Sequence, residues 1–158
     1  MDERTDLRDA VKRSLVVETV RSFGQVQLKV TGTSMLPSVW PGDTLTVSRC
    51  NTEDLVPGRI VLCFRNQGFT AHRLVGKSGN GFITRGDSLC DYDPPFQEDE
   101  ILGEVVSILR DGRRIDPSPA WWHGAGRWIL RRSQLSIRVL LGLKRRLWAK
   151  PVSPLSLF

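Results

Sequence analysis

Between residues 25 and 111 the chain runs in short stretches of strand character, each cut off by Gly, Pro, Asn or Asp before it can lengthen into a helix. In the first stretch Val26, Leu28 and Val30 alternate with Gln25, Gln27 and Lys29, the period of two that gives a strand one apolar face. The turn-forming Thr31-Gly32-Thr33 ends it. Further runs cover residues 44–48, 59–65, 69–75, 82–84 and 101–109. Asn66-Gln67-Gly68 reads as a hairpin loop and Lys77-Ser78-Gly79-Asn80-Gly81 as a longer one, so pairing between neighbouring strands should dominate. A mainly β domain over residues 25–111 is expected, with Asp111-Gly112 closing its last strand.

Before this domain, Leu7, Val11 and Leu15, then Val16, Val20 and Phe23, recur at spacings of three and four. Thr5 or Asp6 is a suitable N-cap and Gly24 a suitable C-cap, which predicts an amphipathic helix within residues 1–24. After the domain, residues 112–120 form a linker containing Asp116-Pro117-Ser118-Pro119, and residues 121–158 form a basic tail rich in Trp and Leu. A length of 158 residues accommodates one domain with these appendages.

Charge separates the body from the tail. The net charge is +6, yet from Ala120 onward there are eight cations and no Asp or Glu, so the preceding residues carry a net −2. In the tail Leu130, Ile137, Leu141 and Trp148 fall near one helical face, with Trp121, Trp122 and Trp128 ahead of most of the basic residues. A helical segment over 121–150 resting on an anionic membrane surface is the expectation, with packing on the body or on a partner protein as its alternative. No nucleic-acid motif accompanies the charge, which speaks against a nucleic-acid partner.

Cys50, Cys63 and Cys90 are odd in number and lack CxxC spacing, so reduced thiols are expected, with neither a disulfide framework nor a zinc site. No apolar run reaches the roughly 18 residues that a membrane-spanning helix needs. Met1-Asp2-Glu3-Arg4 places acids where a signal peptide would be basic, so a cytoplasmic or peripheral membrane location is expected.

The chemistry concentrates in three segments. Thr31-Gly32-Thr33-Ser34-Met35-Leu36-Pro37 presents a Ser after a tight Gly turn, where free backbone N–H groups can face a developing oxyanion, and Met35 should face the core. Such a Ser is ordinarily only a loop residue unless a base lies beside it. His72, in Ala71-His72-Arg73-Leu74-Val75, is one of two histidines and suits the role of general base near neutral pH. Thr84-Arg85-Gly86-Asp87-Ser88-Leu89-Cys90-Asp91-Tyr92-Asp93 brings three carboxylates, any of which can orient an imidazole.

Taken in order, these segments resemble the signal peptidase I and LexA-like serine peptidase superfamily over about residues 26–110. Ser34-Met35-x-Pro37 with Gly42-Asp43 is similar to its nucleophile motif, and Ala71-His72-Arg73-Leu74-Val75-Gly76 to the segment bearing its base. A His at this point, where other branches have Lys, matches the His-type variant. Thr84-Arg85-Gly86-Asp87 with Asp93 is similar to its third motif, and Leu102-Gly103-Glu104-Val105-Val106 looks like the strand that follows. Two departures are Gly32-Thr33 before the Ser, which is closer to the LexA-like branch, and Ser88-Leu89 where the His-type family has Asn-Asn.

The resemblance implies a coiled β fold without metal or cofactor. It further implies a serine endopeptidase acting on a peptide or precursor protein, with Ser34 as nucleophile and His72 as base. Asp87 and Asp93 inherit the roles of orienting the imidazole and stabilising the site, and Asp91 is a weaker candidate. The alternatives are a self-cleaving LexA-like regulator and a non-catalytic membrane- or partner-binding module on the same fold.

Overall fold

The computed structural model describes residues 3–117 apart from Gln67 and Asn80. Expectations for the basic tail and for the end of the linker, residues 118–120, therefore lie outside the described residues. Helix α1 spans Glu3–Phe23, and the strands are β1 (Gln25–Lys29), β2 (Thr44–Ser48), β3 (Ile60–Arg65), β4 (Gly68–Ser78), β5 (Gly81–Arg85), β6 (Ile101–Arg110) and β7 (Arg113–Ile115). The protein is mainly β. All seven strands join one antiparallel sheet in the order β1-β2-β6-β3-β4-β5, with β7 paired to β6.

Strand β3 explains how one sheet serves two apolar layers. Its run Ile60-Val61-Leu62-Cys63 is buried throughout, because successive side chains point to opposite faces and both faces are covered. Ile60 and Leu62 pack with Val20, Met35, Val39, Leu45, Val47, Leu102, Val105 and Ile108. Val61 and Cys63 pack with Leu55, Leu74, Phe82 and Phe96 on the other side. Register shifts at Thr46/Val47, Leu62/Cys63 and Leu74/Gly76 interrupt the ladders, and such bulges bend and further twist a sheet. At Gly103 the strands approach so closely that a side chain would collide with the Ser48 carbonyl oxygen. That contact gives a packing reason for the glycine in Leu102-Gly103-Glu104.

The lead helix ends as expected. Gly24 has φ +74° and its N–H bonds to the Val20 carbonyl at 3.0 Å, a left-handed cap that glycine adopts without strain. Among the described side chains its buried face is narrower than the sequence spacing predicts. Val20 is buried in the core and Val17 packs partly against it, whereas Val11, Leu15 and Phe23 are exposed. Asp111 and Gly112 have φ of +48° and +76°, the backbone pattern of a tight hairpin turn. They join β6 to β7 and carry the sheet to Ile115, the fourth residue of the expected linker. No helix among the described residues is long and apolar enough to cross a membrane.

Candidate active site

The loop from residue 30 to residue 43 carries Ser34 and is fastened at both its neck and its body. At the neck, Val30 N–H bonds to the Asp43 carbonyl and Gly42 N–H to the Val30 carbonyl, both at 2.8 Å. Met35, Leu36 and Val39 anchor the body by burial. The buried Asp43 carboxylate accepts the Trp40 N–H at 2.7 Å and a guanidinium hydrogen bond from Arg110, also at 2.7 Å. Arg110 reaches back to the Ser38 carbonyl at 3.0 Å. A charged pair that also satisfies loop backbone groups makes the loop stiff, so Ser34 is held on a fixed frame.

His72 projects from β4 and is buried. Its Nε2 lies 2.9 Å from Ser34 Oγ and its Nδ1 lies 2.7 Å from Asp93 Oδ2. An ionised carboxylate only accepts, so Nδ1 must carry the proton and Nε2 is left to accept from the Ser34 hydroxyl. Asp93 has a second donor on the same oxygen, Thr84 Oγ1 at 2.5 Å, and its own N–H bonds to the Thr84 carbonyl at 2.9 Å. Partial burial works to raise the Asp93 carboxyl, but the hydrogen bonds from His72 and Thr84 prevail and hold it below its ordinary value.

Asp87 occupies a different place. Its buried carboxylate forms a bidentate pair with Arg73, at 2.8 Å to Nε and 2.7 Å to Nη2. Arg73 also donates to the Gly58 carbonyl at 2.6 Å and to Ser38 Oγ at 3.3 Å. Of the three carboxylates named from the sequence, Asp93 meets His72, Asp87 braces the nucleophile loop through Arg73, and Asp91 is exposed.

Two further residues of the Gly86-Asp87-Ser88 turn act on Ser34. The Ser34 carbonyl accepts from Ser88 N–H at 2.9 Å and from Ser88 Oγ at 2.8 Å, and Gly86 lies flush against that same oxygen. The sequence marked this turn for its Asp; the roles of Gly86 and Ser88 emerge only from the contact between two distant loops.

Beside Ser34 and His72 opens a cleft of about 690 Å³ whose walls include Val16, Leu28, Val30, Met35, Phe69 and Ala71. Residues 68–72 of β4 pair with β3 on one side, and β5 joins β4 only from Arg73 onward. The cleft therefore adjoins a length of β4 with a free strand edge among the described residues. A larger groove of about 900 Å³ lies at Arg21, Arg49, Glu98 and Asp99; there the Thr52 hydroxyl is hydrogen-bonded to Glu98, and no histidine is among its described lining residues. No disulfide joins Cys50, Cys63 or Cys90, and burial pushes the Cys63 thiol up to about 12, which keeps it protonated and a poor nucleophile. Among the described residues no three of His, Cys, Asp or Glu gather into a group that could hold a metal ion. No protein-family model matches this chain, and no curated protein matches it.

Proposed function

We propose that this protein is a serine endopeptidase of signal-peptidase-like type that cleaves a peptide or precursor protein. The observation that carries the reading is the unbroken chain Ser34 Oγ, His72 Nε2, His72 Nδ1, Asp93 Oδ2, with contacts of 2.9 and 2.7 Å, at the side of a predominantly apolar cleft. A serine hydroxyl is a weak nucleophile until a base takes its proton as it attacks, and a base fixed at hydrogen-bond distance contributes about 10²–10⁴ in rate.

In the proposed cycle Ser34 Oγ bonds to the scissile carbonyl carbon while its proton passes to His72 Nε2. Asp93 stabilises the resulting imidazolium. The Ser34 backbone N–H, beside the hydroxyl, is available to meet the charge on the carbonyl oxygen. Collapse of the tetrahedral species breaks the C–N bond, and Nε2 returns the proton to the leaving amine. Water, deprotonated by His72, then releases the acyl group and restores Ser34. The free edge of β4 at residues 68–72 suits an extended substrate, whose backbone can pair there while alternate side chains enter the cleft.

The test is a mass-spectrometric screen of a synthetic peptide mixture incubated with wild type, Ser34→Ala and His72→Ala. Cleavage by wild type, abolished in both folded variants, is the expected result. Equal cleavage by Ser34→Ala overturns the reading, as does a wild type that cleaves nothing. Intact mass recorded on the same samples reports any self-cleavage.

A further inference from the structure

The proposed cycle assigns no task to Thr84, although Thr84 is the group that holds the carboxylate behind the base. It lies on β5 with no solvent exposure. Its hydroxyl donates to Asp93 Oδ2 at 2.5 Å, the same oxygen that stands 2.7 Å from His72 Nδ1. The main chain repeats the link through Asp93 N–H and the Thr84 carbonyl, at 2.9 Å.

A buried hydroxyl must find an acceptor, and this one has taken the oxygen on which the imidazole depends. Asp93 sits in an irregular segment after β5, where nothing in regular secondary structure fixes its χ angles. The Thr84 hydroxyl holds the carboxylate instead, while the bond that Asp93 N–H donates to the Thr84 carbonyl holds the main chain beneath it. A β-branched side chain on a strand is itself restricted at χ1, so the donor arrives already aimed.

The geometry points to Thr84 as a positioning residue that fixes Asp93 Oδ2 opposite His72 Nδ1 and stabilises its negative charge. This rests on the reading of Ser34 and His72 as nucleophile and base. Thr84 is the group besides His72 that hydrogen-bonds the Asp93 carboxylate. Arg65 at the end of β3 also favours its charge, but through space, with its own hydrogen bonds going to Glu100 and to the carbonyls of Pro94 and Pro95, and the Cys63 thiol of β3 is held protonated by burial.

Thr84→Val removes the hydroxyl at nearly constant volume and suits a strand, whereas Thr84→Ser retains it. On the peptide cleaved fastest in the screen, Thr84→Val should lower kcat by about tenfold or more with KM within about twofold, as expected for losing a hydrogen bond to a charged group. The acid limb of its kcat/KM profile should move to higher pH, because a carboxylate with one donor fewer favours the imidazolium more strongly. Thr84→Ser should recover most of both effects.

A second measurement needs no substrate. The low-field proton resonance of His72 Nδ1–H, assigned by its loss in His72→Gln, should persist in wild type and Thr84→Ser and shift or broaden away in Thr84→Val. Thr84→Ala replaces Val under the same criteria if Val does not fold. Wild-type kcat and an unmoved acid limb in Thr84→Val overturn the role, as do an unchanged Nδ1–H resonance and equal impairment by Val and Ser. Inactive Ser34→Ala with fully active Thr84→Val removes Thr84 alone; active Ser34→Ala removes the catalytic reading and this role together.

Discussion

A Cβ built on Gly86 would stand 2.7 Å from the carbonyl oxygen of Ser34. That oxygen belongs to the backbone of an anchored loop and cannot rotate aside as a side chain would. Gly86→Ala should therefore push the two loops apart and move the nucleophile. Overpacking of this kind costs about 1–3 kcal/mol. Calorimetry should record a lower Tm, and peptide kinetics a fall in kcat larger than the stability loss alone explains. An unchanged kcat would mean that the contact does not govern where Ser34 sits.

Ser88 bonds to the same carbonyl. Ser88→Ala removes the 2.8 Å hydroxyl bond but leaves the 2.9 Å bond from its backbone N–H. The fold should persist, with about 1 kcal/mol lost, and kcat should fall a few-fold with little change in KM. A variant losing as much activity as Gly86→Ala would show that the hydroxyl, and not the close approach, sets the position of Ser34.

Two carboxylates six residues apart should fail in different ways. Asp87 is 1% exposed and paired with an Arg73 that is 5% exposed, and breaking such a buried pair typically costs about 3–5 kcal/mol because the other charge is left stranded. Asp87→Asn should thus lower Tm sharply. Asp93→Asn keeps the shape of the site, but its amide can no longer take up the negative charge that the imidazolium needs. It should retain a near-native Tm while kcat drops by about two orders of magnitude or more. Urea denaturation and kinetics on both variants check the split; a catalytic loss without destabilisation in Asp87→Asn would reverse the two roles.

The reason for that split lies in strand geometry, which also marks how far the sequence could be read. His72 and Arg73 are adjacent on β4, so they face opposite sides of the sheet. Asp93 serves the first and Asp87 the second. Spacing alone put both carboxylates near the motif, but the pairing required knowing that the chain after β5 folds back to place Asp93 N–H on the Thr84 carbonyl. The central strands were legible because Ile60-Val61-Leu62-Cys63 is apolar on both faces and strong turn residues flank it. Strand β7 was not, since Arg113-Arg114-Ile115 has no alternating pattern and owes its place to the Asp111-Gly112 turn and to β6. The helix was legible in extent but not in its buried face, because among its described side chains Val17 and Val20 pack on the core while Val11, Leu15 and Phe23 are exposed.

Acid sensitivity should report the brace behind Asp93. Arg65 binds Glu100 at 2.5 Å and donates to the carbonyls of Pro94 and Pro95 at 3.2 and 2.6 Å, the two residues that follow Asp93. The Arg65 hydrogen bond holds the Glu100 carboxyl down from an ordinary 4.5 to about 2. A carboxyl depressed in the folded state stabilises the fold at pH above its unfolded value and loses that contribution as pH falls towards its folded one. The window therefore runs from about 4.5 to about 2. Glu100→Gln should be less stable than wild type at pH 7, by about 1 kcal/mol for a partly exposed pair. The difference should shrink across that window and vanish at its lower end. Because Arg65 would lose its anchor on Glu100, the variant should also lose some kcat at neutral pH. Thermal unfolding of both proteins at pH 7, 4.5, 3 and 2 gives the comparison, and a stability gap that stays constant with pH would remove the Arg65–Glu100 pair from the account.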